Sequence, residues 1–177
     1  MATALIGLGS NLGDREGWLR LALDRLDAHP LVTVIASSGL YETAAVGGPS
    51  GQGPFLNACA TIEVGLDPES LLRLMLDIER IAGRVRTVKN APRTLDLDVL
   101  LFDDIVRADP GLTIPHPAML DRPFVMVPAA EVAGDHVHPV RGQPLSEFAA
   151  PVLSSVDVAL HAGDWWSPCR SGEESSR

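Results

Sequence analysis

The chain has 177 residues, with 23 acidic and 14 basic side chains and a formal net charge of −9. That length suits one domain with a proper core. The negative balance excludes a general binder of nucleic acid or of a membrane surface, since both are polyanions. Cys59 and Cys169 are too few for a disulfide scaffold, so a reduced, cytoplasmic setting is expected. No apolar run approaches the roughly 20 residues of a membrane helix. The N-terminal segment lacks the basic-then-apolar pattern of a secretion signal. One detail runs against the acidic average: 13 of the 14 basic residues are arginine and only Lys89 is lysine.

In chain order, residues 2–8 (ATALIGL) read as a short buried strand. Residues 15–28 carry a helical stripe of Trp18, Leu19, Leu23 and Leu26, with Asn11 and Asp14 as capping candidates and Pro30 as a stop. Residues 31–43 read as one strand. The stretch 44–54 (AAVGGPSGQGP) reads as a loop dominated by glycine and proline. A second strand is expected over 55–66. Asp67-Pro68 then starts a helix running to about Ala82, with Leu71, Leu72, Met75 and Ile78 on its apolar face and Gly83 at its end.

Residues 84–94 form a polar, basic loop. Residues 95–102 alternate as a strand with a polar start. The order β-α-β-β-α-β predicts an α+β, ferredoxin-like plait: an antiparallel sheet with two helices on one face. Asp103-Asp104 is read as a tight turn with 105–107 pairing back. Segments 117–133 and 144–153 are read as proline-broken helices covering the second face. Residues 1–155 are taken as one domain and 156–177 as a tail, mobile at its end.

Five features could carry chemistry. Gly7-Leu8-Gly9-Ser10-Asn11-Leu12-Gly13 invites a dinucleotide-binding reading, but the next strand candidate ends in Tyr41-Glu42 with no repeating parallel pattern after it, so a tight strand-to-helix turn is preferred. Asp96 and Asp98 sit at i and i+2 on a strand, about 6.6 Å apart on one face. Such a pair is either a solvated strand face or a Mg²⁺ site that also uses substrate phosphates. Arg80, Arg84, Arg86, Lys89 and Arg93 form a cationic loop beside it, and arginine suits bidentate phosphate contacts. This local excess favours the phosphate reading over a merely solubilising loop.

His116 lies between Pro115 and Pro117 and can serve as a phosphate donor or acid/base. As a third metal ligand it would instead imply zinc or manganese. Phe55 and Phe124 are either core residues or a sandwich for a flat heterocycle, with Asn57 on the face of Phe55 to bond a ring edge.

Taken in order, Gly9-Ser10-Asn11-Leu12, Phe55-Leu56-Asn57-Ala58, Gly83-Arg84-Val85-Arg86, Pro92-Arg93-Thr94-Leu95-Asp96-Leu97-Asp98 and Pro115-His116 resemble the 6-hydroxymethyl-7,8-dihydropterin pyrophosphokinases of folate biosynthesis. The resemblance covers roughly residues 3–150, and the P-R-T-L-D-L-D block is its most specific part. It implies transfer of the β,γ-pyrophosphoryl group of ATP to the pterin hydroxymethyl oxygen, leaving AMP, with no Walker A loop. It implies that Asp96 and Asp98 bind two Mg²⁺ ions. Arg84 and Arg93 would hold the phosphates and share the catalytic role with the two aspartates. Glu79, Arg86, Thr113, His116 and Arg122 would complete the ATP site. Thr43, Ala44, Val46, Phe55, Asn57, Asp96 and Phe124 would form the pterin site. The partners expected are these two small molecules, with the protein a monomer.

The chain departs from the family pattern in two places, one of them the tail from Val156 with Trp165-Trp166, which has no counterpart in that pattern. Residues 87–93 read Thr-Val-Lys-Asn-Ala-Pro-Arg, without the aromatic residue of the family's turn. A lid that packs less tightly over the pterin is expected. Two other readings compete: a phosphohydrolase using Asp96, Asp98 and His116, and a non-catalytic nucleotide- or pterin-sensing module.

Overall fold

A computed structural model describes residues 1–85, 90–152 and 158–168. The strands and helices are β1 (Ala2–Ser10), α1 (Arg15–Asp27), β2 (Val32–Ser37), β3 (Leu40–Thr43), β4 (Phe55–Val64), α2 (Pro68–Ile81) and β5 (Asp96–Phe102). They continue as β6 (Arg107–Asp109), β7 (Leu112–Ile114), α3 (Pro123–Ala133), α4 (Leu145–Ala149) and β8 (Ala159–Ala162).

The helices begin where the sequence supplies caps. The Asp14 carboxylate accepts the Gly17 amide at 3.0 Å, and Asp67 accepts the Ser70 amide at 2.7 Å. Each satisfies a backbone donor that the first helical turn leaves without a partner. Pro68 follows at the start of α2, where its missing N–H costs nothing. Gly83, at φ +73°, closes the same helix in the left-handed conformation that glycine tolerates best.

The main sheet runs β5-β1-β4-β3-β8, with β2 also paired to β4, and every pairing is antiparallel. One face buries Ala4, Ile6, Leu8, Val99 and Ile62 against Leu19, Leu23 and Leu26 of α1 and Leu71, Met75 and Ile78 of α2. Truncating any of these leucines to alanine costs about 2–5 kcal/mol, because a close-packed core only partly collapses into the hole. The other face packs Leu5, Cys59, Leu100 and Leu101 against Val125, Met126 and Ala129 of α3 and Leu145 and Ala149 of α4. The helices expected over 117–133 and 144–153 do cover the second face, though both are shorter than read.

Three local differences from the sequence reading have clear causes. Residues 31–43 form two strands, because the chain bends at Ser38-Gly39 and passes from one part of β4 to another. Residues 105–107 do not pair back; Ile105 closes a turn onto the Phe102 carbonyl at 3.0 Å, and β6 pairs with β7 as a separate ribbon. Residues 158–168, assigned to the tail, join the fold: β8 extends the sheet beyond β3, and Trp165 and Trp166 are buried. Of the end expected to be mobile from Ser167, residues 167 and 168 are described and the rest lies outside the described residues.

Candidate active site

The site forms where β1 ends and β4 and β5 begin, on the α3 face of the sheet. Gly9 pairs with Asp96 on one side and with Asn57 on the other, while Gly7 pairs with Asp98 and Cys59. The two glycines therefore lie between the aspartates of β5 and the polar residues of β4. A Cβ at Gly9 would stand 3.5 Å from Asn57 Oδ1, 3.7 Å from Phe55 Cδ1 and 4.0 Å from Asp96 Cβ. Their absent side chains leave open the floor between those groups. The turn reading of the glycine cluster fits Gly13, at φ +73°; Gly7 and Gly9 are strand residues with a different task.

Asp96 is held from two sides. Arg84 Nη1 donates to Asp96 Oδ1, and Arg93 Nη1 donates to Asp96 Oδ2 at 2.5 Å. Arg84 Nη1 also donates to Glu79 Oε1 at 2.5 Å and to the Leu95 carbonyl at 3.1 Å. Glu79 itself is 2% exposed and accepts the Leu97 amide at 2.9 Å. Such charge-assisted bonds are about twice as strong as neutral ones, and they fix side-chain direction. Arg93 further stacks its guanidinium over Phe55, 5.5 Å from the ring centroid.

Asp98 is set in drier surroundings. Burial raises its carboxyl pKa above the usual range, and the neighbouring Asp96 charge adds to that; His116, Arg122 and Arg84 pull the other way. His116 is pushed down, first by burial, with Asp98 opposing. The His116 amide donates to the Leu100 carbonyl at 2.9 Å, and its Nδ1 accepts the Ala118 amide at 3.2 Å. The ring is thus tied to β5 by the proline-flanked turn the sequence suggested. Arg122 repeats the motif of Arg93, its guanidinium 5.8 Å from the centroid of Phe124.

Asn57 is buried, and its Nδ2 donates to Thr43 Oγ1 at 2.9 Å. Ala44 and Val46 are exposed on the glycine-rich loop, which curls around an open depression of about 410 Å³ lined by residues such as Ala44, Gly48 and Gln52. Thr113 lies on β7, partly buried, in the ribbon beside β5. Glu79 is beneath the site rather than at its surface. Arg86 lies outside the described residues, as does Lys89.

Asn11, a capping candidate in the sequence, leaves the cap of α1 to Asp14 and serves instead, with the unassigned Gln52, to join two loops. The Asn11 amide nitrogen donates to Gln52 Oε1 at 3.1 Å, and Asn11 Oδ1 accepts the Arg93 amide at 2.8 Å. Gln52 Nε2 donates to the carbonyls of Gly47, Pro49 and Asn90 at 3.2, 3.1 and 3.0 Å. Together they tie the glycine-rich loop to the basic loop. Amides at the two loop bases were the available signal, since each offers donors and an acceptor at once.

The donor set suits a hard divalent cation. Asp96 and Asp98 are adjacent carboxylates, and Mg²⁺ commonly takes one or two of these and completes its shell with water and phosphate. Among the described residues no group of three His, Cys, Asp or Glu side chains is placed to hold a metal. The three-ligand centre with His116 therefore lacks support. No helix among the described residues is long and apolar enough to cross a membrane.

A profile of the 7,8-dihydro-6-hydroxymethylpterin-pyrophosphokinase family matches residues 5–134. The chain belongs to that family. It is 46% identical over 129 residues to the 2-amino-4-hydroxy-6-hydroxymethyldihydropteridine pyrophosphokinase of Bacillus subtilis, covering 73% of this chain and 77% of the relative. The Synechocystis enzyme of the same name is 40% identical over 149 residues, covering 84% and 75%. The folic acid synthesis protein fol1 of Schizosaccharomyces pombe is 37% identical over 159 residues, which is 90% of this chain and only 21% of that protein. Among solved structures, wild-type Plasmodium falciparum HPPK-DHPS with pterin and p-hydroxybenzoate superposes with a TM-score of 0.68 at 16% identity, over 86% of this chain and 42% of that one. At that identity the likeness speaks for the fold alone. It agrees with the mixed α/β architecture and antiparallel sheet described above.

Proposed function

We propose that this pyrophosphokinase-family chain transfers the β,γ-pyrophosphoryl group of ATP to the hydroxymethyl oxygen of 6-hydroxymethyl-7,8-dihydropterin, releasing AMP, as a step of folate biosynthesis. The observation that carries the reading is the doubly gripped Asp96 beside Asp98, with two arginines converging on a carboxylate pair. The strand order β5-β1-β4-β3, with α1 and α2 crossing one face, favours the ferredoxin-like plait as the detailed architecture.

The reaction asks for alignment and charge neutralisation more than for covalent help. Asp96 and Asp98 are the residues that would hold Mg²⁺, which supplies charge neutralisation on the triphosphate. Arg84 and Arg93 orient the phosphates and offset developing negative charge. Their shared partner Asp96 supports this reading, since both guanidinium groups meet at one carboxylate of the pair. Arg122 adds positive charge near Asp98, and His116, its pKa lowered by burial, offers a hydrogen bond at the same side of the ATP site.

The flat pterin fits between Phe55 and Phe124, with Asn57 on its edge and the backbone of 43–46 closing the pocket. The aromatic faces give it an apolar, water-poor seat. Arg93 and Arg122, stacked on those same phenylalanines, link the pterin seat to the phosphate site.

The deciding experiment incubates the protein with ATP, Mg²⁺ and the hydroxymethyl-dihydropterin and identifies the nucleotide product. AMP in equal amount to pterin diphosphate supports the assignment; ADP, or ATP loss without pterin, overturns it.

A further inference from the structure

We propose that the C-terminal segment 158–168 is a strap that holds β3 in place, with Trp165 as a positioning residue for pterin binding. This proposal rests on the pyrophosphokinase reading above and concerns residues beyond the 5–134 that match the family profile.

The argument begins at Ser38-Gly39, where the chain leaves β2 and enters β3. Anchors from distant parts of the chain converge on these two residues. Trp165 Nε1 donates to the Ser38 carbonyl at 2.7 Å across 127 residues. Glu131 Oε1, from α3, accepts the Gly39 amide at 3.0 Å, and its Oε2 accepts the Tyr41 hydroxyl at 2.7 Å. Ser38 Oγ accepts the Cys59 amide of β4 at 3.0 Å. β8 then pairs along β3, setting Ala162 opposite Leu40 and Leu160 opposite Tyr41.

Packing makes the junction specific. A Cβ at Gly39 would lie 2.8 Å from Leu160 Cδ1 and 3.0 Å from the Ala162 carbonyl oxygen. Only glycine lets β8 come this close, because backbone oxygen cannot swing aside as a side-chain tip can. Trp165 is 3% exposed, so its indole N–H must find a partner, and it finds Ser38.

The consequence reaches the site through one short strand. β3 has four residues, Leu40–Thr43, and would be an unsupported edge without β8. Its last residue, Thr43, accepts the Asn57 amide and leads directly into the 44–54 loop. Loosening β3 therefore disorders the Asn57 side of the pterin pocket. The aspartates on β5 lie at the other edge of the sheet, three strands away. Trp166 offers an internal control. Its Nε1 donates to Asp24 of α1 at 2.8 Å, so it secures the segment to the helical layer rather than to β3.

The test uses the full chain with Trp165→Phe, which keeps an aromatic body but removes the N–H, and Gly39→Ala, which crowds β8. Trp166→Phe is the control. Steady-state kinetics should show the pterin KM raised about five- to tenfold in the first two variants, with the ATP KM within about twofold of the parent. Hydrogen exchange, which needs no activity, should show amides of 40–54 exchanging at least about tenfold faster, with β1 and β5 unchanged. Trp166→Phe, which leaves the Trp165–Ser38 bond in place, should move both readouts clearly less than Trp165→Phe does. An unchanged pterin KM with unchanged exchange in 40–54 overturns the strap. So does a parallel rise in both KM values, or faster exchange throughout the sheet, since either marks general destabilisation. If the parent makes no AMP from the pterin, the functional reading fails while the exchange data still judge the strap.

Discussion

Glu79 Oε1 accepts the backbone amide of Leu97 at 2.9 Å. Leu97 stands between Asp96 and Asp98, so a buried carboxylate on α2 pins β5 midway along its reactive segment. The same oxygen accepts Arg84 Nη1 at 2.5 Å. Removing it takes away one of the two carboxylate partners of Arg84, with Asp96 remaining, and leaves the Leu97 amide without this acceptor. Losing these bonds inside the fold costs about 1–3 kcal/mol. Glu79→Ala should therefore lower unfolding stability by about that amount in urea titration. A change below about 0.5 kcal/mol would show that the pairing matters little to the folded state.

On the proposed function the aspartates should behave differently, because their carboxylates would serve the ligands rather than hold α2 to β5. Asp96→Ala and Asp98→Ala are expected to lower kcat by about 10³ or more, about 4 kcal/mol of lost transition-state stabilisation, while the fold persists. Circular dichroism and product formation, measured on the same preparations, separate the two effects. Near-normal turnover in either variant would remove that aspartate from the chemistry.

Much of this arrangement could be read from the sequence, and the reason is locality. The Asp67-Pro68 cap, the α2 stripe and the i, i+2 aspartates depend on neighbours a few residues away, and all lie where the periodicity put them. Gly7 and Gly9 were harder. Their value comes from pairing with Asp98 and Asp96 across β1 and β5, a register no local pattern encodes. Trp165 and Trp166 follow the same logic: a short segment with polar surroundings reads as a tail until Ser38 and Asp24, more than 120 residues earlier, supply its hydrogen bonds. Glu79 lay in the expected region, yet only the three-dimensional structure distinguishes a carboxylate lining the nucleotide site from one buried beneath it.

Asn57→Ala tests the pterin pocket from within. The amide donates to Thr43 Oγ1 and lies beside the open floor at Gly9. Losing a buried amide that braces the pocket and, on the proposed function, bonds a ligand edge costs about 1–3 kcal/mol. The pterin KM should rise roughly ten- to a hundredfold at nearly constant ATP KM. Equal effects on both substrates would mean that Asn57 acts through the sheet rather than on the pterin.

Gln52 offers a test of the loops. Its side-chain nitrogen reaches carbonyls of both the glycine-rich loop and Asn90, and its oxygen accepts from Asn11. Gln52→Ala removes these ties at once without touching the aspartates. Each exposed bond is worth about 0.5–1 kcal/mol, so global stability should fall only slightly. Limited proteolysis within 44–54 should nevertheless accelerate several-fold, since loop opening governs cleavage. Unaltered proteolysis would show that the loops are held together by something other than Gln52.

A pH effect should appear away from the site, at His138. The ring is buried, packs edge-on to Phe148 at 6.1 Å, and accepts the Val140 and Arg141 amides at Nδ1, at 3.2 and 3.3 Å. Burial first, and then the Arg141 charge, lower its pKa below the ordinary value of 6.5. A lowered histidine pKa means that the fold prefers the neutral ring. Its contribution to stability is therefore complete above the unfolded pKa and is lost as pH falls through the folded one. His138→Asn keeps an acceptor for the two amides but cannot titrate. Between about pH 7 and pH 5, the fall in Tm should be smaller in the variant than in the parent by a few degrees. Parallel Tm curves would show that His138 takes up its proton equally well folded and unfolded, and the acid sensitivity would then belong to other groups.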